Sequence, residues 1–276
     1  MYERTYHKTV LKDDAQEKRQ KRPINWKLIL GSVIGVAVIV GTVVVIRLPR
    51  VQVKHVIVMG ANVADPGDIT EFVQEKLQGK ELFFLPRSSI FLIPTHALEN
   101  DLKKQFPRLQ TVSVVRTNFN TVTVTVTEYQ GVYLWCVDQN TCYFMDQNGV
   151  AFAPAPYFSG DAYPKIFSGS AQAIPFQAVS SAQLSAITLI IDRVTIIGIV
   201  PTEFHFVTDH ELDVNFTHYS QPAQLFFDPT TSISAALTNL YTGLRTNPLA
   251  TGYRDQSKTL QYIDLRFSNR VVYKFQ

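Results

Sequence analysis

Residues 28–46 read LILGSVIGVAVIVGTVVVI, a run of apolar or small side chains without a single charge. About 20 such residues carry a helix across the hydrocarbon core of a bilayer. A lone segment in lipid satisfies its backbone only as a helix. The pattern predicts a membrane-spanning helix there, with Trp26 at its boundary. Beyond it the period changes. Residues 51–59 (VQVKHVIVM) read as a strand. Asp65-Pro66 then opens a helix whose stripe is Ile69, Phe72, Val73, Lys76 and Leu77, closed by Gly79. Leu82 to Pro86 form a short apolar connector. A second helix over 94–106 presents Ala97, Leu98, Asp101, Leu102 and Gln105, and Pro107 ends it. Strands follow over 111–117 and 121–128, with Asn118-Phe119-Asn120 as their turn. In TVTVTVTE, Val122, Val124 and Val126 share one face while Thr121, Thr123, Thr125 and Thr127 share the other.

From Tyr129 strands dominate: 131–146, a turn at Asp146-Gln147-Asn148-Gly149, and 150–153. Asn-Gly is a strong hairpin signal. Residues 154–164 read as an ordered loop. Helices fit 181–193 and 233–245, and strands fit 203–208, 212–216, 223–227, 260–267 and 270–275. The resulting class is α+β. A transmembrane helix precedes a β-α-α-β-β unit, and a β-rich domain with a mostly antiparallel sheet and helices follows. The divisions are a basic tail (1–27), the span (28–46), the first unit (51–128) and the second (129–276).

Charge orients the span. Arg4, Lys8, Lys12, Lys18, Arg19, Lys21, Arg22 and Lys27 precede it, whereas Arg47, Arg50 and Lys54 follow. The positive-inside bias puts the N-terminus in the cytoplasm and the bulk outside. A cleavable signal would have a shorter apolar region and a small-residue cleavage site. Here the run ends in Ile46-Arg47-Leu48-Pro49-Arg50, which reads as an uncleaved anchor. The 276-residue chain has a net charge of only +3, with much of the excess in the tail, so the external part offers no basic face for nucleic acid.

The two cysteines, Cys136 and Cys142, flank a polar turn in a compartment that permits oxidation. A disulfide and a pair of reduced thiols are both open. A sortase-like cysteine transpeptidase needs a cation beside its thiolate. Here His96 lies in a different unit, and the next arginine after Cys142 is Arg193, on a predicted helix. His205, His210 and His218, with Glu203, Asp209 and Asp213, match no compact metal-ligand spacing. No catalytic, cofactor or metal residue is assigned.

The segment Val53-Lys54-His55-Val56-Ile57-Val58-Met59-Gly60, the helix pair ending in Phe106-Pro107, residues 112–116 and the strand ending in Glu128 resemble a POTRA domain. Trp135, the turn DQNGVAF over 146–152 and the closing YIDLRFSNRVVYK are similar to the FtsQ/DivIB family of bitopic bacterial cell-division proteins. The resemblance implies a non-catalytic scaffold at the division septum of the cytoplasmic membrane. It implies single-span coiled-coil partners of the FtsB/DivIC and FtsL types, and regulation of the septal peptidoglycan synthase complex. The cysteine pair does not come with it. A rival is a POTRA protein of outer-membrane assembly, which needs repeated POTRA units or a barrel.

A hairpin over 260–275 can leave an edge strand, whose unpaired backbone groups are a template for an added strand. Val271, Tyr273 and Phe275 share one side of it, and Arg270, Val272 and Lys274 the other. Candidate partner-binding residues are Tyr262, Phe267, Arg270, Val271, Tyr273 and Phe275, chiefly on the resemblance. Asp264 and Arg266, two apart in a strand, are expected to form a structural ion pair. Glu128 falls where the two units meet, either setting the hinge or remaining solvated.

Overall fold

The computed structural model describes residues 26–276 apart from 79, 82–84, 159 and 171. The basic tail before residue 26, the stop at Gly79 and most of the connector over 82–86 lie outside the described residues. The elements are α1 (Trp26–Arg47), a turn of 3-10 helix (Pro49–Val51), β1 (His55–Met59), α2 (Pro66–Leu77), β2 (Lys80–Glu81), β3 (Leu85–Pro86), α3 (Thr95–Gln105), β4 (Leu109–Asn118) and β5 (Thr121–Glu128). The second half contains β6 (Tyr133–Cys136), β7 (Cys142–Met145), β8 (Val150–Pro154), β9 (Lys165–Phe167), β10 (Phe176–Gln177), α4 (Ser181–Thr195), β11 (Pro201–Thr208), β12 (Glu211–His218), β13 (Gln221–Phe227), α5 (Ile233–Gly243), α6 (Leu249–Arg254), β14 (Leu260–Asp264) and β15 (Val272–Phe275).

Helix α1 is apolar on every side and exposed along its length, the condition of a segment solvated by lipid. The strand expected from residue 51 begins only at His55. Pro49 turns the chain into a 3-10 bend, and Val51 is buried instead, its carbonyl accepting from Ile90 N at 2.8 Å.

In the first unit the sheet order is β1-β5-β4, with β1 parallel to β5 and β5 antiparallel to β4. Both helices cover one face. Asp65 caps α2 by accepting from Gly67 N at 2.7 Å, with Pro66 in the first turn. Ile69, Val73 and Leu77 of α2 and Leu98 and Leu102 of α3 pack on Val122, Val124 and Val126. Lys76 and Asp101, at the margins of the two helical stripes, meet as an ion pair at 3.3 Å.

The second unit is one ten-stranded sheet in the order β10-β8-β7-β6-β9-β11-β12-β13-β14-β15. It is mostly antiparallel, with parallel pairs at β6–β9, β9–β11 and β13–β14. Helices α4 and α5 cover one face. Ile187, Ile190 and Val194 of α4 and Leu237 and Leu240 of α5 pack on Phe204, Val214, Leu225 and Ile263. Ser180 and Gln183 form a reciprocal capping box that starts α4. The run over 131–146 is two strands, β6 and β7, reversed at the polar turn over 137–141 that the cysteines flank. Asp138 Oδ1 accepts from Asn140 N and Thr141 N there, each at 2.8 Å. Asp146 does the same at the next turn, accepting from Asn148 N at 2.9 Å and Val150 N at 2.8 Å. Gly149 takes φ of +81° there, which a side chain would strain.

His218, 8% exposed at the end of β12, lies 4.3 Å from both the Tyr219 and Tyr253 rings. Its ring bonds the Tyr253 backbone, and Nδ1 has no partner among the described residues. Burial pushes its pKa below the ordinary 6.5. The unfolded chain therefore binds a proton that the folded chain resists. Stability is full above about 6.5 and falls as pH drops through that value toward the folded pKa. Between pH 7.5 and 5.5 the melting temperature is expected to fall less for His218→Phe than for the parent, and equal slopes would refute this.

Candidate functional site

Among the described residues, strand β15 pairs with β14 on one side only, and so forms one margin of the large sheet. Gln276 N donates to Thr259 O at 2.8 Å and Thr259 N to Gln276 O at 3.1 Å. Backbone groups alternate sides along an antiparallel strand. Residues 272, 274 and 276 therefore address β14, and the N–H and C=O of Tyr273 and Phe275 point to the open side. Side chains follow the other alternation. Val271, Tyr273 and Phe275 pack inward against the core, and Lys274 is exposed on the far face. Two of the six candidate residues, Tyr273 and Phe275, thus offer an incoming strand main chain rather than side chain. The two strands are shorter than the expected 260–267 and 270–275, because the chain leaves the ladder at Leu265 and rejoins it at Val272.

The remaining candidates surround that margin. Tyr262 lies on the outer face beside Phe226, with ring centroids 5.5 Å apart, and opposite Lys274. Phe267 and Arg270 form a cation–π pair in the exposed connection, 4.3 Å from guanidinium carbon to ring centre. Asn239 of α5 steadies this connection by donating to Ser268 O at 3.1 Å. A groove of about 240 Å³ runs beneath it, between α5 and Leu265, Arg266 and Phe267.

Arg266 anchors the connection to the sheet. It donates to both carboxylate oxygens of Asp264, Nε to Oδ1 at 3.0 Å and Nη2 to Oδ2 at 2.7 Å. Nη1 reaches Glu211 of β12 at 2.8 Å. Burial alone raises the Asp264 pKa, but the Arg266 hydrogen bonds and charge outweigh it and hold it below the ordinary value. Asp213, on the same face, goes the other way: burial and then Glu211 push it up.

The histidines are dispersed. His205 stacks on Phe167 at 4.2 Å and bonds Glu203 at 3.1 Å, His210 sits in the β11–β12 turn against Asp228, and His218 is buried at the opposite end of β12. His96 bonds Glu99 in the first unit, at 3.1 Å. Cys136 and Cys142 face each other directly across β6 and β7 and are joined in a disulfide, with Cα atoms 4.1 Å apart.

Residues 51–129, which hold the parallel β1–β5 pair and its two covering helices, match the family model of the POTRA domain, FtsQ-type. That unit is an FtsQ-type POTRA domain, and the apolar helix ahead of it supports a resemblance of the chain to FtsQ/DivIB proteins. No curated protein matches it. The FtsQ-type match ends one residue past Glu128, the carboxylate whose role the sequence left open. Glu128 accepts backbone hydrogen bonds from Asn62, Val63 and Ala64, at 2.8, 3.1 and 3.0 Å. It clasps the β1–α2 loop of the POTRA unit to the end of β5. Burial raises its pKa, yet the three backbone bonds with Arg108 lower it overall. The clasp therefore holds above about 4.5 and is lost as pH falls below it. Glu128→Ala is expected to cost about 1–2 kcal/mol locally, seen as faster amide exchange at 62–64; unchanged exchange there would refute the clasp.

The next residue begins the joint with the β-rich domain. Tyr129 N donates to Arg108 O at 3.0 Å, and the Tyr129 ring stacks on Phe152 at 5.1 Å. The Arg108 guanidinium lies over Phe152 and Phe144, at 5.4 and 5.7 Å. The aromatic residue of the DQNGVAF segment is thus half of an inter-domain contact, a role that its local sequence pattern does not reveal.

Proposed function

We propose that this division-related POTRA protein is a non-catalytic scaffold of the bacterial division machinery. Its N-terminus lies in the cytoplasm and its two folded units lie outside, at the septum. The open side of β15 receives an extended segment from a small single-span coiled-coil protein of the FtsB/DivIC or FtsL type. That assembly regulates the septal peptidoglycan synthase complex. The observation carrying this reading is the unpaired margin of β15, where Tyr273 and Phe275 turn main-chain groups outward beside Phe267, Arg270 and Tyr262. FtsQ-type POTRA proteins are generally non-catalytic.

The test is co-purification of the tagged full chain from gently solubilised membranes of its native cells. Short single-span coiled-coil proteins are expected with the parent and not with a variant blocked at β15. Their presence with both would move the site elsewhere. Their absence from both would leave the scaffold reading without support. A cysteine transpeptidase needs a free thiolate, whereas Cys142 is bonded to Cys136. Cys142→Ser is expected to leave recruitment and division intact. Complete loss of division in a folded variant would restore the enzyme reading.

A further inference from the structure

The turn between β4 and β5 carries a side chain that the fold does not use. Phe119 is 72% exposed at the tip of a two-residue hairpin turn. Such tips ordinarily hold glycine, asparagine or aspartate, whose backbones suit the turn. Most of that ring has no packing among the described residues, which leaves a large aromatic face free to meet something outside them.

The topology says where that tip lies. β1 begins at His55, eight residues after α1 ends at Arg47, and runs parallel to β5. Parallel partners start at the same end of a sheet, and His55 stands opposite Thr121. The turn before Thr121 is therefore at the end of the sheet that faces α1. Backbone bonds fix it there: Lys54 N and His55 N both donate to Asn120 O, at 2.9 and 3.2 Å. The linker is strapped down as well. Val53 N donates to Ser88 O at 2.8 Å, Gln52 Nε2 donates to Arg47 O at 3.4 Å, and β3 lies against α1. The POTRA unit sits on the end of the helix rather than on a free tether.

We propose that Phe119 inserts into the interfacial layer of the membrane that α1 crosses, flanked by the basic side chains of Arg50 and Lys54. This rests on the reading of α1 as a membrane span. Aromatic rings favour the headgroup level of a bilayer. Arg50 and Lys54, both exposed, are placed to meet lipid phosphates. The hairpin tip and α1 give the POTRA unit two points of membrane contact, which limits its rotation about the helix axis.

The test uses full-length protein in phosphatidylethanolamine–phosphatidylglycerol vesicles. The native cysteines are joined to each other, so single added cysteines at Phe119, Gln110 and Gly41 take a nitroxide label selectively. Gln110 lies at the other end of β4, about 26 Å from the tip at a rise of ~3.3 Å per residue. The label at 119 is expected to be severalfold more accessible to oxygen, relative to a water-soluble nickel complex, than the label at 110. A label at Asn118 is expected to lose that protection when Phe119→Ser is added. Equal nickel access at 119 and 110, with the Gly41 label in hydrocarbon, overturns the contact and leaves the span intact. Shielding of 119 from both reagents shows a protein contact and overturns it too. A water-exposed Gly41 label overturns the span itself and the proposal with it.

Discussion

Replacing Arg266 with alanine is expected to destabilise the β-rich domain by about 2–3 kcal/mol. Breaking a buried ion pair by removing one partner costs roughly 3–5 kcal/mol, because the other charge stays behind without compensation. Asp264 meets that condition, at 6% exposed. Arg266 is about one-third exposed, so solvent screens part of the pair and the estimate moves to the lower end. Glu211 and Asp213 add to the strain, since both are acidic and lie on the same face. Denaturant unfolding of the parent and variant at neutral pH measures the difference. The pH dependence identifies the cause. Asp264 has a lowered folded pKa, so its contribution is present above about 3.8 and disappears as pH falls below it. The gap between parent and Arg266→Ala should therefore narrow in acid. A gap that stays constant would mean that lost packing of the guanidinium on Phe226, 5.4 Å away, dominates. Asp264→Asn combined with Arg266→Ala should recover part of the loss.

Replacing Tyr273 with proline is expected to weaken capture of a strand-adding partner by on the order of tenfold to a hundredfold. Proline removes the outward N–H and projects its ring where an incoming strand would lie. The bonds to β14 come from the alternate residues, so the hairpin itself retains its ladder. Tyr273→Val is the necessary companion. It discards the ring that packs on the core, 5.6 Å from Phe275, but keeps the N–H. Binding that survives Tyr273→Val and fails in Tyr273→Pro supports main-chain recognition. Equal loss in both would assign the contact to the tyrosine ring, and no loss in either would remove β15 from the interface.

The parts of this architecture legible in the sequence are those whose periodicity is local. Alternating valine and threonine over 121–128 specify a strand with one buried face, and Val122, Val124 and Val126 are buried. The Asp65-Pro66 start of α2 is equally local. Strands β9 and β10 are not legible, because three and two residues carry no period. β9 exists only because β6 and β11 flank it on either side in parallel register. Helix α6 is hidden too, by a glycine and two flanking turns within six residues. At the candidate site, alternation alone separates Val271, Tyr273 and Phe275 from Val272 and Lys274, but it cannot say which set faces the core. That depends on α5 and α6: Gly243 brings α5 close to Val271, and Gly252 lets α6 approach the Phe275 ring. The Asp264–Arg266 pair is visible at a spacing of two, whereas Glu211, distant in sequence, joins it only through sheet order.

The parallel pairing of β1 with β5 also sets a height. The chain enters the POTRA sheet at His55, level with Thr121, and leaves it at Glu128, the opposite end of the eight-residue β5. At about 3.3 Å per residue that lifts the start of the β-rich domain by up to roughly 26 Å. A helical partner rooted in the same membrane climbs only ~1.5 Å per residue. It needs up to about 18 residues outside the bilayer before any part of it draws level with Tyr129. The POTRA unit is in this sense a measuring rod. Under the proposed scaffold role, it would admit partners whose stalks are long enough and leave shorter ones below the reach of the upper sheet.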